Sequence, residues 1–140
     1  EAACYGMIAN LYRHAAELGP QAVYLVLDEV GLDHVKYITA DGLIRKHPTH
    51  PKALALARQA AAGLERKALE LVGTAYCDAL PATQRGLIAL TVASVVPSHT
   101  MTSLHWHQMS DRLEHVDIQS LDDAHRFIWN ILHILDTAKG

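Results

Sequence analysis

Apolar side chains recur at steps of three and four along most of this chain. Cys4, Met7, Ile8, Leu11, Tyr12, Ala15 and Leu18 fall on one face of a helix that Gly19-Pro20 stops. Pro20 suits the first turn of a second helix, over the apolar stretch Gln21 to Val30 that Gly31 closes. From Pro51 to about Cys77, Ala53, Leu54, Ala57, Ala61, Leu64, Ala68, Leu71, Val72 and Ala75 make one stripe. Arg58, Gln59, Glu65, Arg66, Lys67 and Glu70 lie opposite. That pattern predicts one long alanine-rich helix whose Ala60-Ala-Ala-Gly63 segment lets a neighbouring axis come close. Pro81 predicts the start of another helix. Its later part, Leu87 to Val96, is apolar on nearly every side, as in helices buried all round.

Two more helices complete the pattern. Thr100 to Val116 points Trp106, Met109, Leu113 and Val116 inward. Leu121 to Ala138, capped by Ser120, points Ala124, Phe127, Ile128, Ile131, Ile134 and Leu135 inward. Residues 32–50 carry two readings: a short helix continuing through Ile38, or a small hairpin of Val35–Thr39 and Leu43–Lys46 with Gly42 at positive φ. The helical surroundings favour the helix. His47-Pro-Thr-His-Pro51 reads as a connector, since two prolines oppose regular structure across it. The expected fold is an all-α, single-domain bundle of five or six helices spanning residues 1–140.

Composition narrows the class. The 140 residues are 50% hydrophobic and 19% charged, which excludes a disordered tail. The longest near-apolar run, Gly86 to Val96, falls short of the roughly 20 residues a membrane span needs. A net charge of −3 gives no electrostatic footprint for nucleic acid. Two cysteines, Cys4 and Cys77, do not make a disulfide framework, and two free thiols of a cytoplasmic protein is the reading that follows. Whether they form a single bridge is a matter of geometry.

Histidine changes the picture most, with ten in the chain. On the predicted Thr100–Val116 helix, His107, Asp111 and His115 fall at i, i+4 and i+8, which aligns two imidazoles and a carboxylate, good ligands for a divalent ion. The two imidazoles are about 12 Å apart by helical rise, so a shared ion needs Asp111 and a donor from another helix. Otherwise the stripe is a solvated polar face. Trp129 and His133, with His125, lie opposite the inward face of the last helix and are candidates for an interface. Tyr76, Trp106 and Met109 are candidates to line a pocket for a small apolar ligand, or else belong to the ordinary core.

Other chemistries find no motif. There is no Gly-x-Ser-x-Gly elbow, His-Glu-x-x-His pair or phosphate-binding glycine loop, and no cofactor is specified. Asp28-Glu29 and Asp122-Asp123 read as helix-end charges. Val26 to Arg45 can be laid on a helix-turn-helix with Gly31 in the turn, but Asp28, Glu29, Asp33 and Asp41 would face the DNA. The function expected is a non-catalytic interaction or ligand-sensing module, regulatory and homodimeric, whose partner is itself or another protein. The alternatives are a histidine-rich metal- or haem-binding protein with enzymatic activity, and a DNA-binding regulator.

Overall fold

The computed structural model describes residues 4–74, 76–94, 105 and 108–138. In chain order its elements are helix α1 (Tyr5–Leu18), strands β1 (Val23–Leu27), β2 (Lys36–Asp41) and β3 (His47–Pro48), helix α2 (Pro51–Ala62), strand β4 (Leu69–Val72), helix α3 (Leu80–Gln84), strand β5 (Ile88–Ala93) and helix α4 (Ile118–Thr137). A short 3-10 turn covers Leu113–His115. The fold is α/β, with a mixed sheet, and the all-helical expectation is corrected.

The correction has one physical source. A strand buried on both faces is apolar at every position, and so is a helix buried all round. Ile88–Ala93 is such a segment, and its edge partner Val23–Leu27, half-buried apart from the exposed Leu27, is apolar throughout. They pair in parallel, Val23 opposite Ile88 through Leu27 opposite Val92. All six residues of β5 are buried. β-Branched and aromatic residues, Val23, Tyr24 and Val26 in one and Ile88, Thr91 and Val92 in the other, suit a pleated surface. The alanine-rich stripe also contains two elements. Helix α2 ends at Gly63, and Leu69–Val72 pairs in parallel with β2.

β2 is the hub of the sheet. It pairs with β4 in parallel, with β5 in antiparallel fashion at Lys36 and Tyr37, and with β3 in antiparallel fashion at Ala40 and Asp41. The hairpin reading of residues 32–50 therefore lies nearer the structure than the helix. Gly42 turns it at φ 124°, where a Cβ would sit 2.2 Å from the Arg45 carbonyl oxygen.

Helices cover both faces. α2 and α4 pack Ala53, Ala57, Ala60, Phe127 and Ile131 onto Val35, Tyr37, Leu90 and Val92. The alanines bring the two helices close enough for the Asn130 amide to donate to the Ala60 carbonyl at 3.3 Å. On the other face Leu11 of α1 and Ala82 of α3 meet Ala89, with Tyr24 and Val26 alongside. α4 starts earlier than the cap at Ser120 implies. Asp117 caps it by accepting from the Gln119 and Ser120 amides, while the Ser120 hydroxyl donates to the Asp33 carbonyl. Among the described residues no helix is long and apolar enough to cross a membrane.

Phe127 is fully buried and stacks on Tyr37 with ring centroids 5.8 Å apart. Phe127→Ala opens a cavity between α4 and the sheet. It is expected to lower unfolding free energy by about 3–5 kcal/mol in a denaturant titration.

Candidate functional site

Open α/β sheets place their sites at the carboxyl ends of parallel strands, where the loops leave the sheet. This sheet has two parallel pairs, β1–β5 and β2–β4, and the candidate site lies at the carboxyl end of the first. The residue after β1 is Asp28, whose amide still donates to the Val92 carbonyl at 3.0 Å and so fixes the carboxylate at the rim. Asp28 is exposed. Even so, the packed atoms beneath it desolvate its carboxyl and raise its pKa, and the nearby charges of Asp78 and Asp41 add to the rise. Hydrogen bonds from the Cys77 thiol and the Glu29 backbone N–H act in the opposite direction.

The backbone turns sharply after Asp28. Glu29 is left-handed at φ 51° and Gly31 has φ 102°. A non-glycine residue in that region costs about 1–3 kcal/mol and persists only where the surroundings impose it. Gly31 has no alternative, because a Cβ there would meet Val116 Cγ1 at 3.0 Å and Leu121 Cδ2 at 3.1 Å.

Asp41, buried at the end of β2, accepts from the Gly42 amide at 2.7 Å and the Cys77 amide at 2.9 Å. It approaches Gly73 so closely that a Cβ would lie 2.8 Å from Oδ1. Cys77 and Cys4 are both buried and free. The Cys4 Sγ donates to the Cys77 carbonyl at 3.5 Å across 73 positions of sequence. Burial, then the nearby Asp78, pushes the Cys4 thiol up to about 11. Burial, then Asp41 and Asp28, pushes the Cys77 thiol well above its ordinary range. Both are therefore protonated near neutral pH and do not act as nucleophiles. Cys77 serves instead as a thiol donor among carboxylates.

The sequence-predicted residues lie elsewhere. His107 and Trp106 are outside the described residues. Residues 108–112 are turn and extended chain, so the helical i, i+4, i+8 alignment of His107, Asp111 and His115 does not form over that span. Asp111 and His115 are exposed. His115 instead stacks on His105, centroids 4.2 Å apart and planes 6° apart, and its Nδ1 donates to the Ser110 carbonyl at 2.7 Å. Among the described residues no three His, Cys, Asp or Glu side chains are placed to hold a metal ion. Tyr76 is 57% exposed and Met109 87% exposed. Trp129 points outward, 64% exposed and stacked on His125, and His133 is exposed on the same helix. Asp28, which sequence reasoning placed at a helix end, carries a usable signal in retrospect: an apolar strand-like run that ends in an acid two residues before Val30-Gly31.

No protein-family model and no curated protein sequence matches the chain. Its fold resembles that of BSAP, a zinc aminopeptidase from Bacillus subtilis. Two solved structures of that enzyme match with TM-scores of 0.71 at 19% and 18% identity, over 96% of this chain and 34% of that one. The chain thus spans about a third of the aminopeptidase's length. The likeness establishes the fold. With the sheet, it replaces the expectation of an all-helical interaction module. The helix-turn-helix reading falls as well, because Val26 to Arg45 runs from strand through turn to strand.

The raised pKa of Asp28 fixes a sign. Its neutral form is the one folding favours, so this contribution is fully present below the ordinary carboxylate range and is lost as pH rises through the folded-state value. Asp28→Asn removes the penalty. The variant is expected to melt higher than the parent near neutral pH, as read by thermal denaturation. In acid, below the ordinary carboxylate range, the two melting curves should coincide.

Proposed function

We propose that the chain belongs to a metal-dependent peptide hydrolase and contributes part of its zinc site at the carboxyl ends of β1 and β5. The observation that carries this is the match of nearly the whole chain to a zinc aminopeptidase fold, at 0.71 in TM-score, with an exposed carboxylate at the strand end where such folds place their chemistry. The donor chemistry fits. Asp28 offers a carboxylate oxygen, a donor that zinc accepts, and the repulsion that Asp78 and Asp41 exert on it is what a bound cation relieves. The described residues alone supply no complete ligand set, so further donors are needed. His107, eleven positions beyond Val96 in sequence, is proposed as an imidazole donor.

Zinc, when bound, polarises a carbonyl and lowers the pKa of a water. The chain's own residues orient and tune. The Glu29 N–H and the Cys77 thiol hydrogen-bond the Asp28 carboxylate and stabilise its charged form. The buried Asp41 ties the Cys77 peptide to β2. The substrate class suggested by the aminopeptidase likeness is the amino-terminal end of peptides. The two buried free thiols support a reducing compartment, and the cytoplasm is proposed on that ground. The outward Trp129 and the exposed His133 support a contact between α4 and another protein surface or a second copy.

Zinc titration of the purified, tag-free chain against a chromophoric chelator tests the reading. The parent is expected to bind, with Asp28→Ala and His107→Ala each weakening affinity about tenfold or more. A folded parent that takes up no zinc, or variants that bind as the parent does, would overturn it.

A further inference from the structure

The geometry points to Ser94 as the positioning residue of this site: its hydroxyl clamps the turn that aims Asp28. The inference rests on the reading of Asp28 as a site residue. Ser94 follows β5 and is fully buried. Its backbone N–H donates to the Glu29 carbonyl at 3.2 Å, which carries the parallel ladder one step beyond the strand. Its hydroxyl donates to the same carbonyl at 3.0 Å. The same oxygen accepts from the Gly31 amide at 2.6 Å and the Leu32 amide at 3.3 Å. A hydroxyl has one hydrogen to give and two lone pairs, and all three are used on one turn some sixty positions away in sequence.

A path of hydrogen bonds links this clamp to the site. Ser94 grips Glu29 by its carbonyl, and the Glu29 N–H in turn donates to the Asp28 carboxylate. The grip holds Glu29 in the left-handed conformation at φ 51°, which an L-residue does not adopt unaided. On the far side the Gly31 carbonyl accepts from the Asp117 amide at 2.7 Å, so the turn is pinned between β5 and the start of α4. Without the hydroxyl, the Gly31 and Leu32 amides lose their acceptor and Glu29 loses one of two donors. The turn is then free to relax, and rotation of the Asp28–Glu29 peptide about Asp28 ψ turns the Glu29 N–H away from the carboxylate.

The test is a proton–nitrogen NMR spectrum of the apo chain, read at the Glu29 amide. A hydrogen bond to a carboxylate moves that proton downfield, and Asp28→Asn supplies the reference for its loss. Ser94→Ala is expected to move the Glu29 amide upfield to the Asp28→Asn position, Ser94→Thr to leave it at the parent position, and Ser94→Cys to fall between. The cysteine variant also covers an alanine variant that does not fold. In the zinc titration, Ser94→Ala and Ser94→Cys should bind about tenfold and several-fold more weakly than the parent, and Ser94→Thr as the parent does. An unmoved Glu29 amide in folded Ser94→Ala or Ser94→Cys overturns the inference. So does a moved amide with unchanged zinc affinity. A parent that binds no zinc, with the amide shifts as expected, overturns the metal-site reading and leaves the clamp standing.

Discussion

The structure depends on the parallel pairing of Val23–Leu27 with Ile88–Ala93. Parallel strands cannot be joined by a tight turn, and here the intervening chain supplies the other three strands and two of the helices. That pairing sets which side chains face each helical layer. Leu90 and Val92 meet α2 and α4, while Ala89 meets α1 and α3. It also brings the end of β1 beside the end of β5, so that Asp28 and Ser94 become neighbours although far apart in sequence. The site is a consequence of register: a shift of one residue would exchange the two faces of the strand and carry Asp28 to the other side of the sheet.

The charges at this end of the sheet are costly to the fold. Asp28 ionises against burial and two neighbouring carboxylates, and Glu29 is held in a backbone region that disfavours it. Asp41 is offset by two backbone amides, and Asp28 by the Cys77 thiol and the Glu29 N–H. A rim carboxylate beside a strained turn, at the carboxyl end of parallel strands, is the arrangement on which the proposed metal site rests.

Much of the helical layer was legible from periodicity. The inward face of α4, the stop at Gly19 and the tight alanine seam of α2 follow from spacing and side-chain size, as does the buried Leu11 of α1, although Tyr12 and Leu18 of the same predicted face are exposed. The sheet was not, because β1 and β5 have no polar face to alternate with an apolar one, and β4 lay inside what read as a continuous alanine-rich stripe. Gly42 announced its turn, but the helical surroundings outweighed it. The site was less legible still. The meeting of Asp28 with Cys77, Asp41 and Ser94 is set by pairings between distant segments, and no local motif encodes it. The histidine spacing that drew attention assumed a helix where residues 108–112 form turn and extended chain.

The central claim is that the carboxyl end of the β1–β5 pair holds the metal. Anomalous diffraction at the zinc edge from zinc-soaked crystals tests it most directly. The account predicts a peak about 2.0–2.2 Å from an Asp28 carboxylate oxygen. A well-occupied peak on the stacked His105 and His115 rings, with none at Asp28, would contradict it.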